Sequence, residues 1–349
     1  MTQTTERARE VLYTCSYVPE EILLAAGFAP RRFLPESRPG DARVHPNTCG
    51  YVRSLFAAAL DGTAVDTAGI VIANSCDAMR RLYDLWGAYA GNVPAAFLDI
   101  PKTADADAIE MFAVDLRSLA ETLHSRFAGR LVDDAGLRCA IRTCNETRSL
   151  MQEAFAAQHA AQNDGVGTRV FDLCLASAAH ARNEFDAAVR QFLAQVSQEP
   201  RSARRPRIMI AGGLVHRPDV VAAIEDAGAH VVAFDTCLGS RHYETCVDEG
   251  ASDPFVALAA RYLTRPGCAR MQGFEERLRW MKHLADESGA DAVVFCLLKF
   301  CGPCAYDVQF LSEGCQRLGI PFLCLEGDYD GSGREQMTSR IEAFVELRQ

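Results

Sequence analysis

The sequence lacks the patterns that mark several common classes of protein. Its 349 residues contain no run of lysine or arginine interleaved with aromatic residues, and the formal net charge is −10, so we expect no nucleic-acid partner. No apolar run approaches the ~18 residues that a membrane span needs. The first ten residues, MTQTTERARE, are polar and mixed in charge, which is not typical of a signal peptide. We therefore predict a cytoplasmic protein that contacts no membrane.

A nucleotide-binding phosphate loop is also missing from the sequence. The pattern Gly-x-x-x-x-Gly-Lys-Ser/Thr does not occur, and the glycine-rich stretches AGGLV and DGSG have no partner lysine. If the function requires ATP, we expect a separate protein to bind it.

Length and composition favour two domains. With 49% hydrophobic residues, the chain is long enough to bury substantial cores. The best boundary is SQEPRSARRPR, residues 197–207, because it is charged, is interrupted twice by proline and is followed by the apolar run IMIAGG. We predict an N-terminal α/β domain over 1–200, which includes a helical segment over 105–195, and a C-terminal α/β domain over 201–349.

The second half of the chain alternates short apolar strands with helices. The predicted strands are Ile208–Ala211, Val231–Phe234, Ala292–Cys296 and Phe322–Leu325, and the predicted helices are Pro218–Ala227 and Tyr306–Leu318. Strands of this kind, separated by helices, indicate a parallel sheet that is covered on both faces.

The first half follows the same plan and shows a weak internal duplication. PEEILLAAGFAPRRF (19–33) parallels PDVVAAIEDAGAHVVAF (218–234), and each is a helix that ends at Ala-Gly and leads into a strand. GIVIANSCDAMRRLYDLW and AVVFCLLKFCGPCAYDVQF form a second pair, in which a buried strand is followed by a loop cysteine and a helix. We predict an α/β fold of two Rossmann-like domains whose parallel sheets face an interdomain cleft, plus additional helices. Ligands of such sheets bind beyond the carboxyl ends of the strands.

Fourteen cysteines are informative in a cytoplasmic protein, because a reducing compartment favours metal or redox chemistry over disulfides. Three of them lie in VVFCLLKFCGPCAYD (293–307), where Cys296-x4-Cys301-x2-Cys304 has the local spacing of a plant-type ferredoxin site. Other interpretations stay open. Cys301 and Cys304, in a Gly-Pro loop, could form a thioredoxin-like pair, and Cys296 could simply pack in its strand. Zinc is a further alternative, although the eight histidines show no paired spacing with cysteines.

Further cysteines occupy positions suited to a metal cluster that is held from several loops. Cys76, Cys237 and Cys301 each follow a predicted strand. Cys49 and Cys76 lie near predicted helix starts, where the helix dipole favours the thiolate, and each has an arginine nearby. We expect packing roles for the cysteines in helical or strand patterns, which are Cys139, Cys144, Cys174, Cys315 and Cys324.

Six motifs resemble the 2-hydroxyacyl-CoA dehydratase and benzoyl-CoA reductase family, in the same order and across nearly the whole chain. They are TCSYVPEEILLAAG, NTCGYVRS, NSCDAMRRLYDLW, FDTCLGSR, LLKFCGPCAYD and LEGDYDGSGREQMTSRIEAF. The resemblance implies a two-domain α/β subunit with an iron–sulfur cluster in the cleft between the domains. It also implies a separate ATP-hydrolysing activator that reduces the cluster, an acyl-CoA substrate, and a homodimer or a heterodimer with a related subunit.

The resemblance also implies which residues hold the cluster. The family ligands correspond to Cys49, Cys76 and Cys301. One branch of the family carries an [8Fe-9S] double-cubane cluster on six cysteines, for which the other candidates are Cys237, Cys246 and Cys268. Because packing gives no reason for Cys268 in its Pro-Gly loop, we slightly favour the double cubane over a single [4Fe-4S] cluster. Cys15 also occurs in related sequences and is a weaker candidate.

Proton transfer and charge compensation are assigned to two further residues. Glu21, with Glu20 second, is the predicted catalytic carboxylate, although a glutamate in the first turn after proline also stabilises the helix dipole. Arg241 could offset the charge of a cluster or substrate, or form a surface salt bridge.

Three functions remain open at this point. The first is an iron–sulfur reductase or lyase that acts on small substrates with a double cubane. The second is a single-cluster subunit of a dehydratase or a benzoyl-CoA reductase. The third is a subunit with only an electron-transfer or structural role.

Overall fold

The computed structural model describes residues 9–38, 40–161, 163–196 and 205–348. In chain order, its elements are β1 (Glu10–Tyr13), α1 (Glu20–Ala25), β2 (Ala29–Arg32), α2 (Gly50–Leu60), β3 (Gly69–Ala73), α3 (Asp77–Tyr89), β4 (Ala95–Leu98), α4 (Ala106–Phe127), α5 (Asp134–Ala160), α6 (Val166–Ala176), α7 (Arg182–Val196), β5 (Arg207–Gly212), α8 (Pro218–Asp226), β6 (His230–Asp235), α9 (Ser240–Tyr243), α10 (Pro254–Thr264), α11 (Phe274–Ser288), β7 (Ala292–Leu298), α12 (Gly302–Arg317), β8 (Phe322–Gly327) and α13 (Arg334–Glu346).

The chain forms two compact units, each with a four-stranded parallel sheet. Unit 1 takes its described residues from Met1–Pro35, Ser54–Asn145 and Val247–Leu263. Unit 2 takes its described residues from Glu36–Arg53, Glu146–Cys246 and Thr264–Gln349. The α/β class and the two Rossmann-like parallel sheets are therefore as predicted.

The sheet of unit 1 has the strand order β2-β1-β3-β4. All five residues of β3, GIVIA, are buried, as expected for a parallel strand that is covered on both faces. Helix α3 contacts β3 and β4, and α4 contacts β4 and α1. Trp86 of α3 is buried and its indole N–H donates to the carbonyl of Val93 over 3.1 Å, which satisfies the polar atom of this large side chain.

The sheet of unit 2 has the strand order β6-β5-β7-β8. Alternate residues of its strands, such as Met209, Val293 and Phe295, form a buried cluster with residues of α11 and α12. Helices α6 and α8 contact β6, while α13 contacts β8 and α8. Burying each large aliphatic or aromatic side chain of such a core contributes about 1.5–3 kcal/mol.

The two sheets share one topology, which supports the internal duplication that the sequence indicates. In each sheet, the second strand is at one edge and pairs with the first. The third strand pairs with the first on its other side, and the fourth strand forms the opposite edge. Helices α1 and α8 are both followed by a glycine with a left-handed backbone, Gly27 (φ +85°) and Gly228 (φ +89°). This is the conformation that the Ala-Gly pairs predict, because glycine has no Cβ to clash there.

Most predicted elements of the second half are confirmed, with one correction. Strands β5 to β8 and helix α8 lie where the sequence places them. Helix α12, however, begins at Gly302 and not near Tyr306, because Pro303 is well suited to the first turn of a helix. Cys304 therefore lies in a helix and not in a loop.

The segment 105–195 is mostly helical, as predicted, and contains α4 to α7. Residues 197–204 of the predicted domain boundary lie outside the described residues, so the division at residue 200 stays a prediction. Among the helices that the structure describes, none combines the length and the apolar character needed to cross a membrane.

Candidate functional site

Four cysteines of unit 2 are grouped around the carboxyl ends of its strands. Cys237 follows β6 and Cys301 follows β7, as predicted, while Cys304 lies in the first turn of α12 and Cys268 between α10 and α11. The guanidinium of Arg241 interacts electrostatically with Cys237, Cys268 and Cys304. The thiol of Cys304 also interacts with Cys268 and Cys301. We call Cys237, Cys268, Cys301 and Cys304 the unit 2 thiol group.

Cys301 and Cys304 form a hydrogen-bonded pair at the start of α12. Cys301 is the N-cap residue, and its sulfur accepts a hydrogen bond from the thiol of Cys304. The interaction with Cys304 lowers the pKa of Cys301 to about 7, although burial opposes the shift. The donor role and burial raise the pKa of Cys304 well above its usual range. Near neutral pH, Cys301 is therefore the member of the pair that ionises more readily, and Cys304 stays a thiol.

Two glycines at the end of β5 allow this pair to approach the sheet. A Cβ at Gly213 would lie 2.9 Å from the sulfur of Cys304, and a Cβ at Gly212 would lie 2.3 Å from the carbonyl oxygen of Cys296. Gly213 also accepts a hydrogen bond from the backbone N–H of Cys237 over 3.2 Å. The Gly-Gly pair of the AGGLV stretch thus brings three cysteine-bearing segments together.

Arg241 places a positive charge beside these thiols. Its side chain is buried, and its guanidinium donates to the carbonyls of Gly212 and Asp235, with Nε 3.1 Å from the Asp235 carboxylate. Burial works against the charge, but Asp235 together with Cys268, Cys237 and Cys304 raises the pKa of Arg241. The alternative of a surface salt bridge is therefore wrong, because the pair is inside unit 2.

A small polar cavity lies next to Arg241. Its volume is about 10 Å³, and its walls include Arg241, Cys304, Arg277 and Asp307. Arg277 donates to Asp307 over 2.7 Å, so this second buried carboxylate is also paired with a cation. The cavity has about the room of one water molecule.

Cys49 lies at another part of the same unit. It is buried and immediately precedes α2, whose first residue, Gly50, would place a Cβ 2.5 Å from the Asp328 carboxylate. Arg53, in the first turn of α2, donates to Asp328 over 3.1 Å. The start of α2 is thus packed on the segment that follows β8, and the positive charge that the sequence places near Cys49 is paired with Asp328.

Cys76 belongs to unit 1. It follows β3 and is the N-cap residue of α3, as the sequence predicts. Cys15 follows β1, which is paired with β3 in the register Tyr13 to Val71. In unit 1, two cysteines therefore follow neighbouring strands at their carboxyl ends.

The predicted carboxylates lie in the first turn of α1. Glu21 is fully buried, and its carboxylate accepts a hydrogen bond from the hydroxyl of Tyr262 over 2.9 Å. Glu20 accepts one from Tyr13 over 2.5 Å. Both side chains thus have a tyrosine partner inside unit 1.

The remaining cysteines divide into packed and exposed residues. Cys144, Cys174 and Cys315 are buried, as expected, and burial raises the pKa of Cys315 to about 11. The expected packing role of Cys139 is wrong, because α5 presents it to solvent. Cys246, a predicted ligand, is also exposed.

The cysteines carry free thiols in this structure. All fourteen cysteines are in the described part of the chain, and none forms a disulfide. Among the described residues, no three His, Cys, Asp or Glu side chains meet closely enough to hold one ion.

Sequence reasoning missed one member of this group. The ligand prediction omits Cys304, which the structure places in direct contact with Cys301. The spacing of the CGPC motif carried the signal, because positions i and i+3 lie on the same face once the segment is helical.

Comparison with known proteins agrees with the motifs. The family model described as 2-hydroxyglutaryl-CoA dehydratase, D-component, matches residues 15–347. The chain is 25% identical to YjiM of Escherichia coli (strain K12), over 95% of this chain and 90% of that one. It is 24% identical to the (R)-phenyllactyl-CoA dehydratase beta subunit of Clostridium sporogenes, over 95% and 89%. It is also 24% identical to one of the benzoyl-CoA reductase subunits of Thauera aromatica, over 90% and 84%.

Proposed function

Because the chain belongs to the 2-hydroxyglutaryl-CoA dehydratase D-component family, we propose that it is an iron–sulfur component of a low-potential dehydratase or reductase. The relatives that it matches over most of their length are named as dehydratase or reductase subunits. The single observation that supports the iron–sulfur assignment best is the unit 2 thiol group, in which three cysteines interact with the buried Arg241 and the fourth, Cys301, has a lowered pKa.

The proposed ligands follow the family motifs. Cys49, Cys76 and Cys301 are the first set, and Cys237, Cys246 and Cys268 are the second set of a double-cubane cluster, which we favour over a single [4Fe-4S] cluster. Membership of Cys237 and Cys268 in the unit 2 thiol group supports the second set. The exposed position of Cys246 makes it the ligand with the least support.

The bound cluster would supply one-electron chemistry at low potential. The protein would hold its thiolates and compensate their charge. Arg241, buried beside the thiols, is suited to offset the negative charge of a thiolate-bound cluster, which stabilises the loaded state. Glu21 remains the proposed proton-transfer residue. Its carboxylate meets the Tyr262 hydroxyl and not solvent, so a proton would pass through that hydroxyl or require movement of α1.

The proposed partners are a second, related subunit, an ATP-hydrolysing activator and an acyl-CoA substrate. The names of the relatives support the first and the third, since they are subunits of enzymes that act on phenyllactyl-CoA, lactoyl-CoA or benzoyl-CoA. The lack of a phosphate loop in this sequence supports a separate protein as the site of ATP hydrolysis.

The test is anaerobic purification with determination of iron and acid-labile sulfide. About eight irons per chain would support the double cubane and about four a single cubane. A protein that contains neither iron nor sulfide after anaerobic reconstitution would contradict the proposal.

An electron-transfer or structural subunit is the second candidate, because several relatives are named as beta subunits of larger enzymes. The two candidates differ in substrate binding. If the iron-loaded chain, with its activator, turns over no acyl-CoA thioester alone but does so after a related subunit is added, the second candidate is favoured.

A further inference from the structure

A small apolar pocket opens at the carboxyl ends of β5, β7 and β8 in unit 2. Its volume is about 40 Å³. Most of the side chains around it are aliphatic and come from the β5–α8 loop, α8, the ends of β7 and β8, and α13; among them are Leu214, Val220, Leu298, Leu325 and Met337. Such walls favour a ligand group that is itself apolar.

The position of the pocket is the one at which open parallel sheets bind ligands. After β5, the chain continues to β6 on one side, whereas β7 pairs with β5 on the other side. The topological switch point therefore lies between β5 and β7, and ligands bind there beyond the strand ends. Cys301 follows the same β7 end only three positions after Leu298. The pocket is thus next to the segment that carries a proposed cluster ligand.

The charged groups at the pocket already have partners. Arg217 donates to both carboxylate oxygens of Asp219 over 3.1 and 2.8 Å, and Asp328 accepts from Arg53 over 3.1 Å. His216 stacks on Tyr329 with 4.0 Å between ring centroids. Burial, with a smaller effect from Arg217, lowers the pKa of His216 to about 4, so its ring is neutral near pH 7. A ligand group with a net charge would meet no complementary charge here.

Size limits the ligand further. An engineered cavity that holds one benzene ring measures about 150 Å³, and one water-sized sphere needs about 10–15 Å³. A pocket of about 40 Å³ therefore has room for about three such spheres and not for an aromatic ring.

We propose that this pocket binds a short, uncharged aliphatic group of about three or four heavy atoms. Its identification as the end of an acyl group rests on the proposed function. The pocket would then give this chain a different acyl specificity from relatives that are named for phenyllactyl-CoA and benzoyl-CoA, whose aromatic groups are too large for it.

The test uses iron-free protein, so that ligand binding is measured independently of the cluster. Saturation-transfer NMR is recorded with propionamide, benzamide and propionate at equal concentration. We expect transfer to the methyl group of propionamide and none to benzamide or propionate. Equal transfer to propionamide and benzamide would overturn the proposal.

Two variants locate the binding. Leu298→Phe fills the pocket and should lower the transfer to propionamide about tenfold or more. Met337→Ala enlarges the pocket and should admit benzamide, while its circular dichroism spectrum and its free energy of unfolding show that the variant is folded. Leu347→Phe, at a position that is 83% exposed, is the matched control and should bind propionamide as the wild type does. Unchanged binding of propionamide by Leu298→Phe would overturn the proposal.

The propionamide experiment and the iron determination test the pocket and the proposed function independently. If propionamide binds but the anaerobic protein takes up no iron, the pocket assignment stands and the proposed function fails. If the protein takes up iron but no propionamide signal is observed, the pocket assignment fails and the proposed function stands.

Discussion

Single cysteines in this chain differ in chemistry because their surroundings differ. Cys174 is enclosed in α6, where burial raises its pKa far above the usual range, so it stays a thiol and packs as a small apolar side chain. Cys301 lies at a helix start and interacts with Cys304, which lowers the pKa of Cys301 to about 7. Only the second environment prepares a thiolate ligand.

Replacement of one sulfur by oxygen tests this difference. Cys301→Ser should abolish the brown colour and most of the iron of anaerobically purified protein, because a serine hydroxyl is not a thiolate donor. Cys174→Ser should keep both, since Cys174 holds no metal in our proposal. The measurement is the visible absorption spectrum with iron determination. Full iron content in the Cys301→Ser protein would contradict the site.

His216 should make stability depend on pH. An unfolded histidine has a pKa of about 6.5, whereas burial and Arg217 lower that of His216 to about 4. The unfolded chain therefore binds more protons between these values, so the free energy of unfolding is highest above about pH 6.5. It should fall as the pH drops toward 4, by up to roughly 3 kcal/mol.

The measurement is urea denaturation at several pH values from 7.5 to 4. His216→Phe keeps a ring against Tyr329 but cannot bind a proton, so its stability should vary less over this range. His180→Phe, at an exposed histidine, is the control and should keep the wild-type dependence. An identical pH dependence of His216→Phe and wild type would show that another group is responsible.

Two helices of this protein begin with the pair Cys-Gly, but their surroundings differ. Helix α2 begins at Gly50 after Cys49, and α12 begins at Gly302 after Cys301. A Cβ at Gly50 would lie 2.5 Å from the Asp328 carboxylate and 2.7 Å from Cβ of Tyr329, whereas a Cβ at Gly302 would meet nothing within 4 Å. The same dipeptide is thus a packing requirement in one helix and only a helix start in the other.

Alanine at each glycine should separate these roles. Gly50→Ala should lower the free energy of unfolding by about 1–3 kcal/mol, because the start of α2 must move away from the segment after β8. Gly302→Ala should be neutral or should raise it by up to about 1 kcal/mol, since alanine has the higher helix propensity. The measurement is urea denaturation of the iron-free proteins. Equal losses in both variants would contradict the packing role of Gly50.

At the scale of the whole molecule, duplication explains why a cysteine recurs at one place in both units. Each unit has the same strand order, and Cys76 follows the third strand of unit 1 as Cys301 follows the third strand of unit 2, whereas Cys15 and Cys237 follow strands that do not correspond. Because parallel strands all end at one edge of a sheet, residues that follow them collect at that edge. Each unit therefore presents cysteines at the carboxyl edge of its own sheet.

The division of labour between proteins is testable at the same scale. The purified chain should release no phosphate from ATP, because it lacks a phosphate loop. Its cluster should become reduced only when activator, ATP and an electron donor are all present. The measurements are phosphate release and bleaching of the visible absorption. ATP hydrolysis by the chain alone, retained through successive purification steps, would contradict this division.

The sequence by itself determined the fold class, because apolar strands that alternate with helices can bury their faces only in a covered parallel sheet. It also determined that Cys76, Cys237 and Cys301 follow strands, since this depends only on order along the chain. Tertiary structure decided the rest. The burial of Arg241, the exposure of Cys139 and the apolar pocket depend on how distant segments pack. Local periodicity cannot supply this information, because it shows which face of an element is apolar but not which residues that face meets.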